Sequence, residues 1–287
     1  MRAAVVGHVE WMDFIRVERL PRAGDIVHGS GSWQVPAGGG AVAAVQLARL
    51  AGGATFFTAV GGDALGQVAR EELEALGLTV RAVVRPQPQR RGVTLVDASG
   101  ERTITVIGTR VAPLAGDPLP WQELEGADGV YVTAGDVGAI RYARAARVLV
   151  ATARILPVLR EAGVELDALV GSARDPMEAY APGDLDPPPR LVVQTDGERG
   201  GAFFDGHASR HVPGALRAGT RWEAVPLPGA LSDTYGCGDS FAGGLTYALA
   251  AGMPPDRAVA FAATCGAAVA TGRGPYERQL RGPVEVP

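Results

Sequence analysis

The chain has 287 residues and a formal net charge of −4. It contains no Lys, so all 27 residues counted as Lys or Arg are Arg, and it contains no Asn either. This composition excludes a Walker A lysine, the lysine and metal-binding asparagine of protein kinases, a Schiff-base lysine and Asn-linked glycosylation. The mild acidity also argues against a nucleic-acid partner, because phosphate binding needs a concentrated basic surface.

Composition also bears on where the protein works. Residues 1–7 hold one Arg and an apolar run too short for a signal peptide. The most apolar stretch, residues 258–272, is too short to cross a bilayer. Two cysteines, Cys237 and Cys265, do not indicate a disulfide framework. We therefore expect a cytoplasmic protein with no membrane partner.

Short β-branched runs alternate with Ala- and Leu-rich stretches along most of the chain, which is typical of βα units around a mostly parallel sheet. In chain order the pattern first predicts strands over residues 3–7 and 54–60, each followed by a helix, over residues 40–50 and 64–76. Further central strands are predicted over residues 129–133, 148–151, 168–170 and 191–194. Beyond a turn at Gly197, Gly200 and Gly201, residues 202–204 and 209–212 extend the sheet, and helices over residues 238–251 and 255–271 close the chain. We expect one α/β domain over residues 1–287.

A different pattern interrupts these units at residues 92–107, where two β-rich runs surround an Asp-Ala-Ser-Gly turn and predict a hairpin. Segments near residues 14–18 and 26–34 are its natural partners. We expect a small antiparallel sheet, built from residues 13–34 and 90–108, that covers a ligand as a lid.

The segment over residues 232–244 carries the clearest chemical signal. Gly236 and Gly238 flank Cys237 directly before a predicted helix, so the first helical amides remain unpaired and favour an anion. Asp239 would repel a bound phosphate unless it served the reaction, for instance by accepting a proton from an attacking hydroxyl. The alternative is that Asp239 only favours the helix start and that Asp233 is a turn residue.

Two other chemistries rank lower. A serine hydrolase would need Gly two residues beyond Ser240, where the chain has Ala242. Cys237 could be a nucleophile, because a helix start lowers a thiol pKa, but it has no evident His partner. His207 and His211 lie in a β-like segment where their spacing does not place them on one face, so we expect surface positions and no metal site.

The run Asp-Thr-Tyr-Gly-Cys-Gly-Asp over residues 233–239 resembles the Asp-Thr-x-Gly-Ala-Gly-Asp signature of ribokinase-like (PfkB-type) carbohydrate and nucleoside kinases. Residues 20–25, 61–66 and 195–200 resemble three further family segments, in the family's order. The resemblance implies a Rossmann-like fold with a β-sheet lid, a homodimer formed through that lid, and transfer of the ATP γ-phosphoryl group to a hydroxyl.

The resemblance also assigns roles to residues. Asp239 would be the general base, and the amides of Gly236, Cys237 and Gly238 would stabilise the transferring group. The nucleotide would contact Thr195, Gly197 and Gly200. Ser172 and Asp175 replace the family's Asn-x-x-Glu, and Asp175 would hold Mg²⁺ through water. Asp233, with backbone carbonyls near Tyr235 and Gly274, would match the family's monovalent-cation loop, a K⁺ site.

The acceptor side departs from the family pattern. Gly39 and Val42 stand where the family has Lys and an acceptor-gripping Asn, and Met12 stands at the position of an early substrate Asp. The substrate residues would therefore be Glu10, Asp13, Gly38, Gly39 and Val42. The function expected is an ATP- and Mg²⁺-dependent kinase for a sugar or sugar-like acceptor. The alternatives are a nucleoside kinase, or a catalytically weakened binding protein with the same fold.

Overall fold

The computed structural model describes residues 1–207 and 219–282. In chain order the strands are β1 (Ala3–Val6), β2 (Glu10–Arg16), β3 (Gly31–Ala37), β4 (Ala54–Gly61), β5 (Leu78–Arg85), β6 (Arg91–Val96), β7 (Arg102–Ile107), β8 (Gly129–Val132), β9 (Val148–Thr152), β10 (Ala168–Ser172), β11 (Leu191–Thr195), β12 (Gly201–Asp205) and β13 (Thr220–Trp222). The α-helices are α1 (Gly39–Ala51), α2 (Ala64–Ala75), α3 (Val137–Ala143), α4 (Leu156–Ala162), α5 (Cys237–Ala250) and α6 (Pro255–Val269).

The larger sheet has nine strands in the order β13-β12-β11-β10-β9-β8-β1-β4-β5. All pairs from β11 to β5 are parallel, and only the β11–β12 and β12–β13 pairs are antiparallel. The predicted α/β class with a mostly parallel sheet is confirmed. The edge strand β5 was not predicted, because Arg81 and Arg85 interrupt its apolar residues. The predicted strand over residues 209–212 lies outside the described residues.

Apolar side chains cover both faces of this sheet. In β1, Val5 belongs to the core shared with α1, α5 and α6, whereas Val6 belongs to the core shared with α3 and α4. A parallel sheet covered by helices on both faces needs strands that are apolar at consecutive positions, as β1 is. The sheet is thus a rigid platform, and the loops that follow its strands can carry a site.

The smaller sheet has the order β3-β2-β6-β7. Its outer pairs are antiparallel and its central β2–β6 pair is parallel. The two partner strands of the hairpin differ from the predicted segments: β2 begins and ends earlier than residues 14–18, and β3 begins and ends later than residues 26–34. The start of β2 was not predicted because the polar residues Glu10 and Asp13 lie inside it. Phe14 stacks on Trp33 and meets the edge of Tyr235 at a ring distance of 4.9 Å, so one face of this sheet packs on the segment before α5.

Across residues 1–207 and 219–282, every helix falls short of the length and apolar character that a bilayer crossing requires.

Candidate active site

The amino end of α5 forms an open, positively polarised turn. Gly236 precedes the helix with φ 81°, and a Cβ there would lie 2.9 Å from Pro275 Cβ, so both the conformation and the space require Gly. A Cβ on Gly238 would meet nothing within 4 Å. The first amides of a helix have no partner within the helix, and the space beside Gly238 is open, so an anion can bind here.

Asp239 lies in the first turn of this helix, beside the start of α1. A Cβ on Gly39 would be 2.9 Å from Asp239 Oδ1, so the absence of a side chain at Gly39 leaves room for the carboxylate. Burial raises the pKa of Asp239 to about 6, with Glu178 and Glu10 acting in the same direction and Arg102 and Arg154 opposing them. A carboxylate with a pKa near the working pH is suited to accept a proton.

The close packing of α1 and α5 brings Gly39 and Asp239 together. A Cβ on Gly243 of α5 would lie only 2.8 Å from the Ala43 carbonyl of α1, so glycine lets the two backbones approach. The amino ends of both helices therefore meet at one point.

Glu10 and His8 lie on the other side of Gly39. Glu10 is 8% exposed, and its Oε1 is 3.1 Å from Arg90 Nε and 3.8 Å from His8 Nε2. Burial raises the pKa of Glu10, although Arg90 and Arg110 oppose this. Burial and the neighbouring arginines lower the pKa of His8 to about 3, so its imidazole is neutral.

Gly38 links this acidic group to the loop before α5. A Cβ on Gly38 would lie 3.2 Å from Glu10 Cγ and 3.3 Å from His8 Cδ2, and its φ of 85° favours Gly. The Gly38 amide donates to the Tyr235 hydroxyl at 3.2 Å. The structure thus brings four of the residues predicted for acceptor binding or catalysis into one neighbourhood: Glu10, Gly38, Gly39 and Asp239.

The remaining predicted acceptor residues lie elsewhere. Asp13 points to the opposite face of β2, where it pairs with Arg91 at 3.0 Å and accepts from Gln34. Val42 is fully buried, and its Cγ1 would be 3.1 Å from a Cβ on Gly236, so its side chain supports the turn from below. Met12, whose position suggested a lost substrate contact, is fully buried beneath Gly92. These positions argue against acceptor contacts by the side chains of Asp13 and Val42.

The predicted nucleotide residues follow β10 and β11. The Thr195 hydroxyl lies 3.4 Å from the Gly171 carbonyl, and Ser172 Oγ accepts from the Arg174 amide at 3.2 Å. Gly197 has φ 57° and lies under the Arg174 guanidinium, 2.9 Å from where its Cβ would be. Gly200, with φ 77°, packs against the Trp222 carbonyl. Both glycines thus have a packing role, and their contact with nucleotide stays a prediction.

Arg154 joins two carboxylates near Asp239, and one of them, Glu178, was missed by the sequence analysis. Arg154 contacts Asp175 and lies 2.7 Å from Glu178 Oε1, while the Ser172 amide donates to Glu178 Oε2 at 2.8 Å. Glu178 follows Ser172 by six residues and not by the three that the family motif predicts, so only the tertiary structure reveals it.

Metal binding can be tested on the donors present. Among the residues that the structure describes, no group of three or more His, Cys, Asp or Glu side chains is arranged to hold a metal ion. Asp175 and Glu178 still offer hard carboxylate oxygens, which suit a Mg²⁺ that keeps several waters and arrives with phosphates. The residues therefore fit Mg²⁺ through water, without a protein cage.

Asp233 is a buried carboxylate that joins two loops. It is fully buried, and it accepts hydrogen bonds from the Tyr235 amide at 2.8 Å and the Gly274 amide at 3.0 Å. Burial raises its pKa, and within the described ranges it has no ion-pair partner at 4 Å or less. A buried acid without a cation is a reasonable place for a monovalent cation, so these residues fit such an ion.

The hydrolase alternatives lose support. Burial raises the pKa of Cys237 to about 12, so the expected lowering at the helix start is wrong. Ser240 is fully buried and accepts from Gln279 at 3.0 Å. His207 lies 3.5 Å from Glu165 at the surface, and His211 lies outside the described residues.

The tip of the β6–β7 hairpin docks on the segment that leads into α5. The Thr234 amide donates to the Gly100 carbonyl at 3.1 Å. The Thr234 hydroxyl accepts from Arg102 at 2.9 Å and donates to Glu101 at 3.1 Å. The small sheet is thereby hydrogen-bonded to the residues that immediately precede the anion-binding turn, whose first residue is Gly236. We call this contact the hairpin-tip contact.

A family model described as pfkB family carbohydrate kinase matches residues 2–148 and 162–280. An ATP-dependent ribose-1-phosphate kinase from Halopiger xanaduensis is 29% identical over 290 residues, covering 96% of this chain and 93% of that protein. A fructokinase from Salmonella typhimurium is 28% identical over 292 residues, covering 86% of this chain and 91% of that protein. The structure of a ribokinase from Thermotoga maritima superposes with a TM-score of 0.73 at 18% identity, covering 98% of this chain and 96% of that one, and so shares the fold.

Proposed function

Because the chain belongs to the pfkB family of carbohydrate kinases, and is therefore a phosphotransferase acting on a sugar hydroxyl, we propose that Asp239 is the general base of an ATP-dependent transfer. One observation carries this proposal. The Asp239 carboxylate, with its pKa raised to about 6, stands beside the open amino end of α5 and the start of α1. A carboxylate that only favoured the helix start would not need to be buried, whereas a general base needs both this position and the raised pKa.

The transfer needs one proton acceptor and one set of charge-stabilising donors. As the acceptor oxygen bonds to the γ-phosphorus and ADP departs, the hydroxyl proton passes to an Asp239 oxygen. The amides of Gly236, Cys237 and Gly238 stabilise the charge on the transferring group, because they are fixed before the reaction begins. Neutral His8 and buried Glu10 are the groups available to orient the acceptor hydroxyls.

Two ions complete the proposal. Mg²⁺ would be held through water by Asp175 and Glu178, and it supplies charge neutralisation for the phosphates. A monovalent cation, K⁺ by its fit to carboxylate and carbonyl oxygens, would lie at Asp233. Asp233 joins the Tyr235 and Gly274 loops, so this cation would stabilise the turn that holds the amides.

We also propose that two copies associate through the small sheet. The supporting observation is β7, where Ile104, Val106 and Ile107 are 40%, 42% and 50% exposed. Neighbouring exposed apolar side chains of this kind mark an interaction surface.

The first prediction tests the base. ADP release is measured with Mg²⁺-ATP against a panel of pentoses, hexoses, sugar phosphates, sugar acids and nucleosides, for the wild type and for Asp239→Asn. We expect the substitution to lower kcat at least about 10³-fold while ATP binding survives, because the amide cannot accept the proton.

Asp256→Asn is the matched control, because Asp256 also lies in the first turn of a helix, α6, but is exposed. It should retain full activity. Unchanged turnover by Asp239→Asn would remove Asp239 from the role of base. Tight ATP binding with no turnover on any acceptor would favour the weakened binding protein instead.

A further inference from the structure

Arg110, in the loop after β7, is a guanidinium without an evident partner. It is half-buried, and its Nε is buried with no hydrogen-bond partner among the described residues. No ion pair within 4 Å involves Arg110 in the described part of the chain, although most arginines near the site have one. Partial burial of a cation without a counter-ion costs free energy of folding. A bound anion would offset this cost, so the position of Arg110 indicates a ligand site.

Arg110 and Arg90 have one carboxylate, Glu10, between them. Glu10, the carboxylate that acts on it, is already paired with Arg90 at 3.1 Å. Arg154, the third cation of the group, is occupied by Asp175 and Glu178. Burial lowers the pKa of Arg110, and the charges of Arg90 and Arg154 act in the same direction while Glu10 opposes them. Two guanidiniums thus share one carboxylate beside the acceptor residues.

The Arg90–Glu10 pair lies next to the reaction centre. Glu10 connects Arg90 to His8, whose Cε1 would be 3.8 Å from a Cβ on Gly39, and the same Cβ would be 2.9 Å from Asp239 Oδ1. A small sugar could therefore reach Asp239 with one hydroxyl and the arginines with another substituent.

We propose that the acceptor already carries an anionic oxygen group, a phosphate monoester or a carboxylate, and that Arg110 binds this group together with Arg90. The planar guanidinium matches both groups with paired hydrogen bonds, and a charge that is half-buried strengthens them. The inference rests on the proposed function, because it assigns the acceptor of that same site. Arg110 is a specificity residue here and takes no part in the proton transfer.

The test compares neutral acceptors with anionic ones. The full-length protein is assayed with Mg²⁺-ATP on ribose and fructose, on ribose 5-phosphate, ribose 1-phosphate and fructose 6-phosphate, and on gluconate and glucuronate. Arg110→Met keeps the bulk and removes the charge. Arg70→Met is the matched control, because Arg70 pairs with Glu74 on the exposed face of α2. Isothermal titration calorimetry measures binding of each anionic acceptor, and of inorganic phosphate, to the wild type and to both variants.

We expect an anionic acceptor to have the highest kcat/KM, and the preference between phosphates and carboxylates identifies the group. Arg110→Met should raise the KM of that acceptor about 10- to 100-fold, with kcat and the KM of ATP within about threefold of wild type. It should also weaken inorganic phosphate as a competitor of the acceptor. Arg70→Met should change none of these values.

Three results would overturn the inference. The first is a higher kcat/KM for neutral sugars than for anionic ones, which leaves the proposed function intact if Asp239→Asn still abolishes that turnover. The second is a rise in the KM of ATP in Arg110→Met with no change for the acceptor, which would place the residue on the nucleotide. The third is that no anionic probe is either bound or phosphorylated. Turnover that survives Asp239→Asn would instead contradict the proposed function.

Discussion

At the scale of single residues, Asp239 holds its charge at a cost in folding free energy. Its pKa is raised from 3.8 to about 6, so folding disfavours the ionised carboxylate. The contribution of Asp239 to the free energy of unfolding is fully present below about pH 4, where the carboxyl is protonated in both the folded and the unfolded state. This contribution is lost as the pH rises through 6. The residue proposed to drive catalysis thus weakens the fold at neutral pH.

The second prediction follows from that cost. At pH 8, Asp239→Asn should raise the free energy of unfolding by about 1–2 kcal/mol, a figure reduced from the full pKa shift because the side chain is only half-buried. Urea denaturation at pH 8 and pH 5 provides the measurement, and the gain should shrink at pH 5. An equal gain at both pH values would show that the carboxylate charge is not its cause.

The same pKa bears on the activity of the wild type, where kcat should fall about tenfold per pH unit below pH 6.

Val42 is a residue at which this chain departs from the family pattern, which has Asn at that position. Restoring the family's residue with Val42→Asn would bury an amide behind Gly236, where the side chain is fully enclosed. As the third prediction, we expect the variant to lose about 2–4 kcal/mol of unfolding free energy, with no fall in the KM of the acceptor.

Chemical denaturation and acceptor kinetics measure the two effects of Val42→Asn. The control is Val68→Asn on α2, where the side chain is 36% exposed and the same change should cost less than about 1 kcal/mol. A lower acceptor KM in Val42→Asn would show that the position does reach the acceptor.

At the scale of elements, the site depends on how α1, α5 and the β6–β7 hairpin are held against one another. The glycine contact between α1 and α5 sets the distance from Gly39 to Asp239. The hairpin-tip contact fixes Thr234, which lies two residues before Gly236. Neither contact involves the Asp239 carboxylate, yet both bear on the position of the groups proposed to act in the transfer.

The fourth prediction concerns the hairpin-tip contact. Thr234→Val keeps the shape of the side chain but removes its hydrogen bonds to Arg102 and Glu101. We expect kcat/KM to fall about 3- to 10-fold, because about 1 kcal/mol of positioning is lost, and Tm to fall by only a few degrees, because the side chain is only half-buried. Steady-state kinetics and thermal unfolding give both values.

Thr79→Val is the control for that substitution, because Thr79 is an exposed strand residue of β5, at the far edge of the large sheet. It should leave kcat/KM unchanged. Wild-type kinetics in Thr234→Val would mean that the hairpin-tip contact does not position the turn.

At the scale of the whole molecule, the sequence predicts the architecture and only part of the site. The βα alternation predicts the parallel sheet because central strands that are buried on both faces, such as β1 and β8, consist of consecutive apolar or small residues. Likewise, the turn around Gly236 and Asp239 is local, so spacing alone indicates its chemistry. Arg110 and Glu178 give no such signal. They come from separate segments and reach the neighbourhood of Glu10 and Asp239 only through the fold, where charge and burial reveal them.

The hairpin-tip contact also implies a reciprocity between the two substrates. Thr234 is shared by the small sheet, which carries Glu10, and by the segment that leads into the turn proposed to bind the phosphoryl group. A ligand that stabilises this contact from one side makes it less costly for the other ligand to do so. For an acceptor and a nucleotide that both stabilise the contact, thermodynamic linkage requires each to raise the other's affinity by one common factor, whichever binds first.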